Sequence, residues 1–227
     1  MIEAATSKED TYVDADRPFE CLVLVALGCL AFLGISRGMM LSARGVRIFA
    51  IDRERSIREG VADLAFLLGF LLWVYETLAF ALPLGIHLVS TSARMLLIDA
   101  IAAKMLGALA MTTGIAVYGL ALRAFGSSWR LGIDRDRPGP LVTGGIFARS
   151  RNPIYLSLTL SMVGVFLVLG RLVLLLLAIM CAVYFHFLVR REERFLTQHY
   201  GDAYRAYAQR VGRWWTWEGS KGLSERA

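Results

Sequence analysis

Five apolar blocks, each of about 16 to 25 residues, run along the chain between stretches rich in arginine. That length crosses a hydrocarbon core of roughly 30 Å at about 1.5 Å of helical rise per residue. The pattern predicts spans from about Phe19 to Ser36, Val61 to Leu82, Ile98 to Leu122, Ile154 to Leu169 and Leu172 to Val189. The expected fold class is all-α: an integral membrane helical bundle of about five transmembrane helices, with a C-terminal helical hairpin and a cytoplasmic amphipathic helix.

The polar stretches orient the bundle. Arg37, Arg44, Arg47, Arg53, Arg55 and Arg58 follow the first span, and Arg123, Arg130, Arg135, Arg137, Arg149 and Arg151 follow the third. Arg190, Arg191 and Arg194 follow the fifth, whereas only Arg94 and Arg171 lie in the two remaining connections. Positive loops stay in the cytoplasm. The expected topology has the N-terminus outside and the C-terminus cytoplasmic. The first 18 residues are polar and acidic, unlike a cleavable signal peptide.

Only Gly170-Arg171 separates the last two spans, which predicts a tight antiparallel hairpin. The stretch Phe125 to Pro153 carries Pro138, Gly139 and Pro140, then Gly144-Gly145, so it reads as a structured loop. After Arg190 the helix continues to about Tyr200, where Gly201 ends it and Asp202 is placed to cap the next one. Ala203, Tyr204, Tyr207 and Val211 then repeat at helical spacing, and Trp214, Trp215 and Trp217 resemble an interfacial anchor.

Composition agrees with this picture and narrows the chemistry. Hydrophobic residues make up 56% of the 227, charged residues 19%, and the net charge is +6. Because the arginines sit between apolar blocks, membrane lipid headgroups are the expected partner and nucleic acid is not. Cys21, Cys29 and Cys181 all lie within apolar blocks, and His87, His186 and His199 are widely dispersed. Neither a disulfide nor a metal site is expected. No dinucleotide fingerprint, phosphate loop or histidine–glutamate zinc motif is present.

One constellation remains. Arg149, Arg151, Asn152, Pro153 and Tyr155 open the fourth span, and Glu192-Glu193 follow the fifth. A tight hairpin sets the start of one helix beside the end of the next. Carboxylates, guanidinium groups, an amide and a phenol then meet at the interface, where a polar cofactor and a lipid-like substrate both have access. The plainer alternative is a set of ordinary interfacial charges in which Arg151 pairs with a glutamate. Glu76 either lines a substrate cavity or pairs within the bundle. His186 shares a helix face with Arg190 and Glu193 and is a candidate ligand contact. Asp99 reads as interfacial, Lys104 as a side chain that snorkels outward, and Tyr184 as packing.

The stretch Leu141 to Tyr155, reading LVTGGIFARSRNPIY, resembles the signature of the isoprenylcysteine carboxyl methyltransferase and phospholipid methyltransferase superfamily. So does Arg191-Glu192-Glu193-Arg194-Phe195-Leu196, followed by Tyr200-Gly201-Asp202-Ala203-Tyr204 and Tyr207. The resemblance covers about Phe125 to Arg213. It implies a methyltransferase that uses S-adenosylmethionine. It further implies that Asn152 and Tyr155 line the cofactor, that Glu192 or Glu193 binds its amino or ribose groups, and that Leu141, Val142 and Gly145 pack near the adenine. Two positions depart from the family pattern: Asn152 stands where histidine is commonest, and Gly212 where proline is common. On this reading the chain divides into a polar tail (1–18), a three-helix membrane region (19–122), a cofactor-binding core (123–213) and a C-terminal tail (214–227).

Methyl transfer from a sulfonium needs alignment and exclusion of water more than it needs acid–base groups. A carboxylate acceptor needs no base. Arg151, with Arg149 beside it, is the candidate to hold such an acceptor, which is expected to be lipid-like. Two other readings stay open. Membrane sterol and steroid reductases share a similar hairpin and use a nicotinamide cofactor, but Ile154 and the glutamate pair depart from their pattern. A non-enzymatic protein that keeps the fold is the other.

Overall fold

The computed structural model describes residues 3–45, 56–126 and 139–216, with side chains from Asp16 onward. All its named helices fit the all-α expectation: α1 (Glu3–Ala43), α2 (Ile57–Ala81), α3 (Ile101–Phe125), α4 (Pro153–Leu169), α5 (Leu172–Tyr200) and α6 (Asp202–Arg210). The described residues contain no strand, only an isolated bridge between Leu96 and Arg171. The polar tail is continuous with the first span, since α1 runs from Glu3 through Pro18 to Ala43.

Among the described residues four helices are long and apolar enough to cross a membrane, and α4, with 17 residues, is shorter. At about 1.5 Å per residue α4 reaches roughly 25 Å. Its length is set at both ends by backbone chemistry. Pro153 occupies the first turn, where its missing N–H costs nothing, and Gly170 closes the helix in the left-handed region at φ 65°. The Gly170 turn is stitched to the preceding loop, Leu97 N–H donating to the Gly170 carbonyl at 2.8 Å and Leu172 N–H to that of Met95 at 2.9 Å. A Cβ on Gly170 would lie 1.9 Å from the Ile98 carbonyl oxygen.

The most extensive helix pair is α3 with α4, and small residues make it possible. A Cβ on Gly107 would meet the Gly164 carbonyl at 2.6 Å, and one on Gly114 would meet Ser161 Oγ at 2.4 Å and the Ser157 carbonyl at 2.8 Å. Both serines return their hydroxyls to their own helix, Ser161 donating to the Ser157 carbonyl at 2.9 Å. Backbones this close are the usual solution where lipid offers no hydrophobic drive between helices. The core then fills with Met111, Met162, Val165, Leu174 and Cys181, together with Trp73 from α2 and Val23 from α1.

Lys104 does not snorkel. It is 7% exposed, and its ammonium lies between Asp16 of α1 and Asp99, 2.7 Å from the latter. A buried ammonium needs counter-charges, and two elements supply them here. Asp99 itself stays one-third exposed, as an interfacial residue does.

Filling the α3–α4 seam should cost about 1–3 kcal/mol, the usual range for overpacking. Gly114→Leu is therefore expected to lower the unfolding temperature in detergent by several degrees. Gly28→Leu, at a position where an added Cβ would have nothing within 4 Å, should leave it within about a degree.

Candidate functional site

The hairpin brings the two halves of the site together as its geometry requires. The N-terminal end of α4 lies beside the part of α5 that extends past Val189 to Tyr200. Glu193, 8% exposed, is the centre. Its Oε1 accepts from Asn152 Nδ2 at 3.2 Å and lies 3.4 Å from Arg151 Nη1. Its Oε2 accepts from Arg213 Nε at 2.9 Å and Nη2 at 2.7 Å. Glu192, on the next face of the helix, accepts from the Tyr155 hydroxyl at 3.2 Å.

The tail after α6 closes this cluster from below. Arg151 N–H donates to the Gly212 carbonyl at 3.1 Å, and Thr216 N–H to the Arg149 carbonyl at 2.7 Å. Asn152 Nδ2 also donates to the Arg213 carbonyl, at 3.2 Å. Tyr207 donates to the Phe147 carbonyl at 2.7 Å, which pins α6 to the turn Gly145–Ala148. Leu141 packs against the Tyr204, Tyr207 and Val211 cluster. Tyr200 reaches the Gly139 carbonyl at 2.5 Å. Gly201, not Asp202, stands at the cap of α6. Asp202 is the first helical residue and its carboxylate turns to Arg205, an exposed pair three residues on.

Gly212 explains its own departure from the family pattern. Its N–H donates to Thr216 Oγ1 at 2.7 Å, a bond proline cannot make, and a Cβ there would meet the Trp215 carbonyl at 2.5 Å. Asn152 likewise spends its amide on Glu193 and on the Arg213 carbonyl, so this position works as a fixed donor. Trp215 is 39% exposed, consistent with an interfacial side chain; Trp217 lies outside the described residues, as do Arg47, Arg53, Arg55, Arg130, Arg135 and Arg137.

Beside Glu193 opens a cleft of about 870 Å³ between α5, α6, the tail and the first turns of α2. Arg151, Glu193, Tyr204 and Arg213 form one wall; Glu59 and Asp63 of α2 form the other, with Tyr184 and Arg191 of α5 between them. Burial, followed by the Glu193 carboxylate, pushes Tyr204 up to about 12, so it stands in the cleft as a neutral hydroxyl. The hydrogen bond to Glu193 raises Arg213 above the usual guanidinium value.

Among the sequence-derived candidates, Arg151 and Glu193 line the cleft, and Asn152 holds Glu193. Tyr155 and Glu192 are joined to each other just outside it. Val142 and Gly145 lie in the loop behind α6, and Arg149 is exposed, contributing its carbonyl to the tail. His186 is half-buried against Phe187, whose ring lines the cleft. Glu76 lies elsewhere, near the opposite end of α2 and fully buried. It takes the pairing alternative, with His87 Nδ1 at 2.7 Å and the Leu88 N–H at 2.8 Å. Sequence reasoning missed Arg213, Glu59 and Asp63. The two acids were detectable as an i, i+4 pair at the start of an apolar helix, but Arg213 has no periodic partner to mark it. Among the described residues no group of His, Cys, Asp or Glu could hold a metal ion.

A helical bundle with four membrane-length helices among the described residues and a charged cleft at the open end of its hairpin has the architecture of a membrane protein. Residues 102–203 match the phospholipid methyltransferase family, which bears out the resemblance to the membrane methyltransferase superfamily. The match runs from the start of α3 to the start of α6 and so carries the hairpin, Arg151, Asn152 and both glutamates. No curated protein matches the chain.

The tail bonds yield one expectation. Gly212→Pro removes the N–H to Thr216 and adds a clash, so the tail should detach from Arg149 and Arg151. Limited proteolysis in detergent should then cut near Arg213 at least several times faster than in the wild type, with the helical circular dichroism retained.

Proposed function

We propose that this protein transfers a methyl group from S-adenosylmethionine to a lipid-like or strongly apolar acceptor at the cytoplasmic membrane face, with a prenylcysteine-type carboxylate as the acceptor group. One observation carries the reading: Arg151, Asn152 and Glu193 meet at a wall of the cleft, and all three lie within a segment that matches a methyltransferase family.

The donor set suits the cofactor. Glu193 offers a carboxylate for an ammonium or ribose hydroxyl, Arg213 offers a guanidinium group for a carboxylate, and Tyr204 offers a neutral hydroxyl. When bound, S-adenosylmethionine supplies a methyl group already activated on sulfur. What the chain then does is hold, align and keep water out. Asn152 and Tyr155 fix the two glutamates, Leu141, Val142 and Gly145 back the loop near the adenine, and Arg151 holds the acidic head of the acceptor. Arg149 and His186 stand further out on the path of the acceptor. A carboxylate arrives without a proton to lose, which suits a cleft with no histidine among its described lining residues. The acceptor comes sideways from the bilayer and the cofactor from the aqueous side.

Three measurements test this reading. Glu193→Gln should weaken S-adenosylhomocysteine binding by more than about tenfold in calorimetry, because a charged hydrogen bond is worth about 1.5–3 kcal/mol. Unchanged affinity would remove Glu193 from the cofactor site. Arg151→Ala should abolish turnover and leave that affinity nearly intact; a parallel fall in both would make Arg151 a brace for Glu193. Reporter fusions at Gly85 and Gly139, on either side of α3, should report opposite faces of the membrane, with Gly139 cytoplasmic.

A further inference from the structure

Of the six arginines that line the cleft, Arg213, Arg151 and Arg191 differ in how firmly carboxylates hold them. Arg213 grips Glu193 through two bonds of 2.9 and 2.7 Å. Arg151 lies at 3.4 Å from the same carboxylate. Arg191 is 4.0 Å from Glu59 and 4.0 Å from Asp63, beyond hydrogen-bond range of both. Its side chain is only 15% exposed, and its Nε, like that of Arg151, is buried with no hydrogen-bond partner among the described residues.

The acids facing Arg191 each give one carboxylate oxygen to another donor. Glu59 Oε2 accepts from Ser56 N–H at 3.0 Å, as half of the capping box that starts α2. Asp63 Oδ1 accepts from the Tyr184 hydroxyl. Arg191 is thus balanced in charge but within hydrogen-bond range of neither acid, and a buried donor left unsatisfied is costly. The same seam carries an apolar track. Tyr184 stacks on Phe66 at 4.1 Å, and Phe187, which lines the cleft, is 63% exposed towards the outside.

From this geometry we infer that Arg191 is a second specificity-determining residue: drawn away from Glu59 and Asp63, it joins Arg151 on the acidic head of the acceptor, while the apolar body lies along the α2–α5 seam. This rests on the methyltransferase reading above and extends it to α2, a helix outside the matched segment. A carboxylate entering the cleft supplies Arg191 with the planar pair of acceptors that the two α2 acids do not. Arg191 then exchanges one set of negative partners for another, and no bond is made or broken.

The test is initial-rate kinetics of the full chain in lipid nanodiscs, with S-adenosylmethionine and a farnesylated N-acetylcysteine as probe. Arg191→Gln should raise the KM for the probe at least about tenfold and leave S-adenosylhomocysteine affinity unchanged. Asp63→Asn, which weakens the hold on Arg191, should lower that KM severalfold. A structural ion pair would respond differently, because breaking it from either side would move KM the same way. Two variants shifting together, or an unchanged KM in Arg191→Gln, would overturn the inference and leave the methyltransferase reading standing. If the wild type does not methylate the probe, the carboxylate acceptor itself is wrong and the role of Arg191 falls with it.

Discussion

The close approach of α3 and α4 is the constraint on which the rest depends. In lipid, helices gain little by hiding apolar side chains from one another, so they associate where backbones touch. Gly107, Gly114 and Gly164 allow that contact, and each has no room for a Cβ. With α4 fixed on α3, the turn at Gly170 sends α5 back along it. The distance between Asn152 and Glu193 is then settled by helix lengths rather than by loops. A short α4 and a long α5 leave the last turns of α5 projecting past the start of α4, where a carboxylate can meet an asparagine and two arginines.

Glu193 organises what lies at that end. A buried carboxylate is costly unless it is both paired and fully hydrogen-bonded, and here Asn152, Arg151 and Arg213 arrive from two separate segments to meet the requirement. The tail arrives only because its own backbone is stitched to Arg149 and Arg151. Packing, backbone pairing and charge balance thus converge on one residue, and the cleft beside it inherits a fixed pattern of donors.

Much of this was legible in the sequence, for identifiable reasons. The hairpin could be placed because a Gly-Arg pair between apolar runs leaves no other path, and the meeting of Asn152 with the glutamates followed from it. The tyrosines of α6 showed their packing face through helical spacing. Lys104 was misjudged because snorkelling is the general habit of lysine, while one of its counter-charges comes from Asp16, far away in the chain. Asp202 was misjudged because a nearby arginine offered its carboxylate a local partner. Arg213 was invisible: its role depends on how an irregular tail folds back, and no periodicity records that.

The cleft has walls of two different origins. One takes Arg151 and Glu193 from the segment that matches the family and Tyr204 and Arg213 from just beyond it, and the other comes from the first turns of α2, which lies outside it. The bonds that hold Glu193 come from Asn152 and Arg213, at the start of α4 and in the tail, and owe nothing to α2. Glu59, Ala62 and Asp63 can therefore change while that arrangement stays in place. The molecule is in this sense a fixed jaw with an exchangeable facing. Substitutions along a single helix turn would redraw that face of the cleft and leave the bonds to Glu193 opposite as they are.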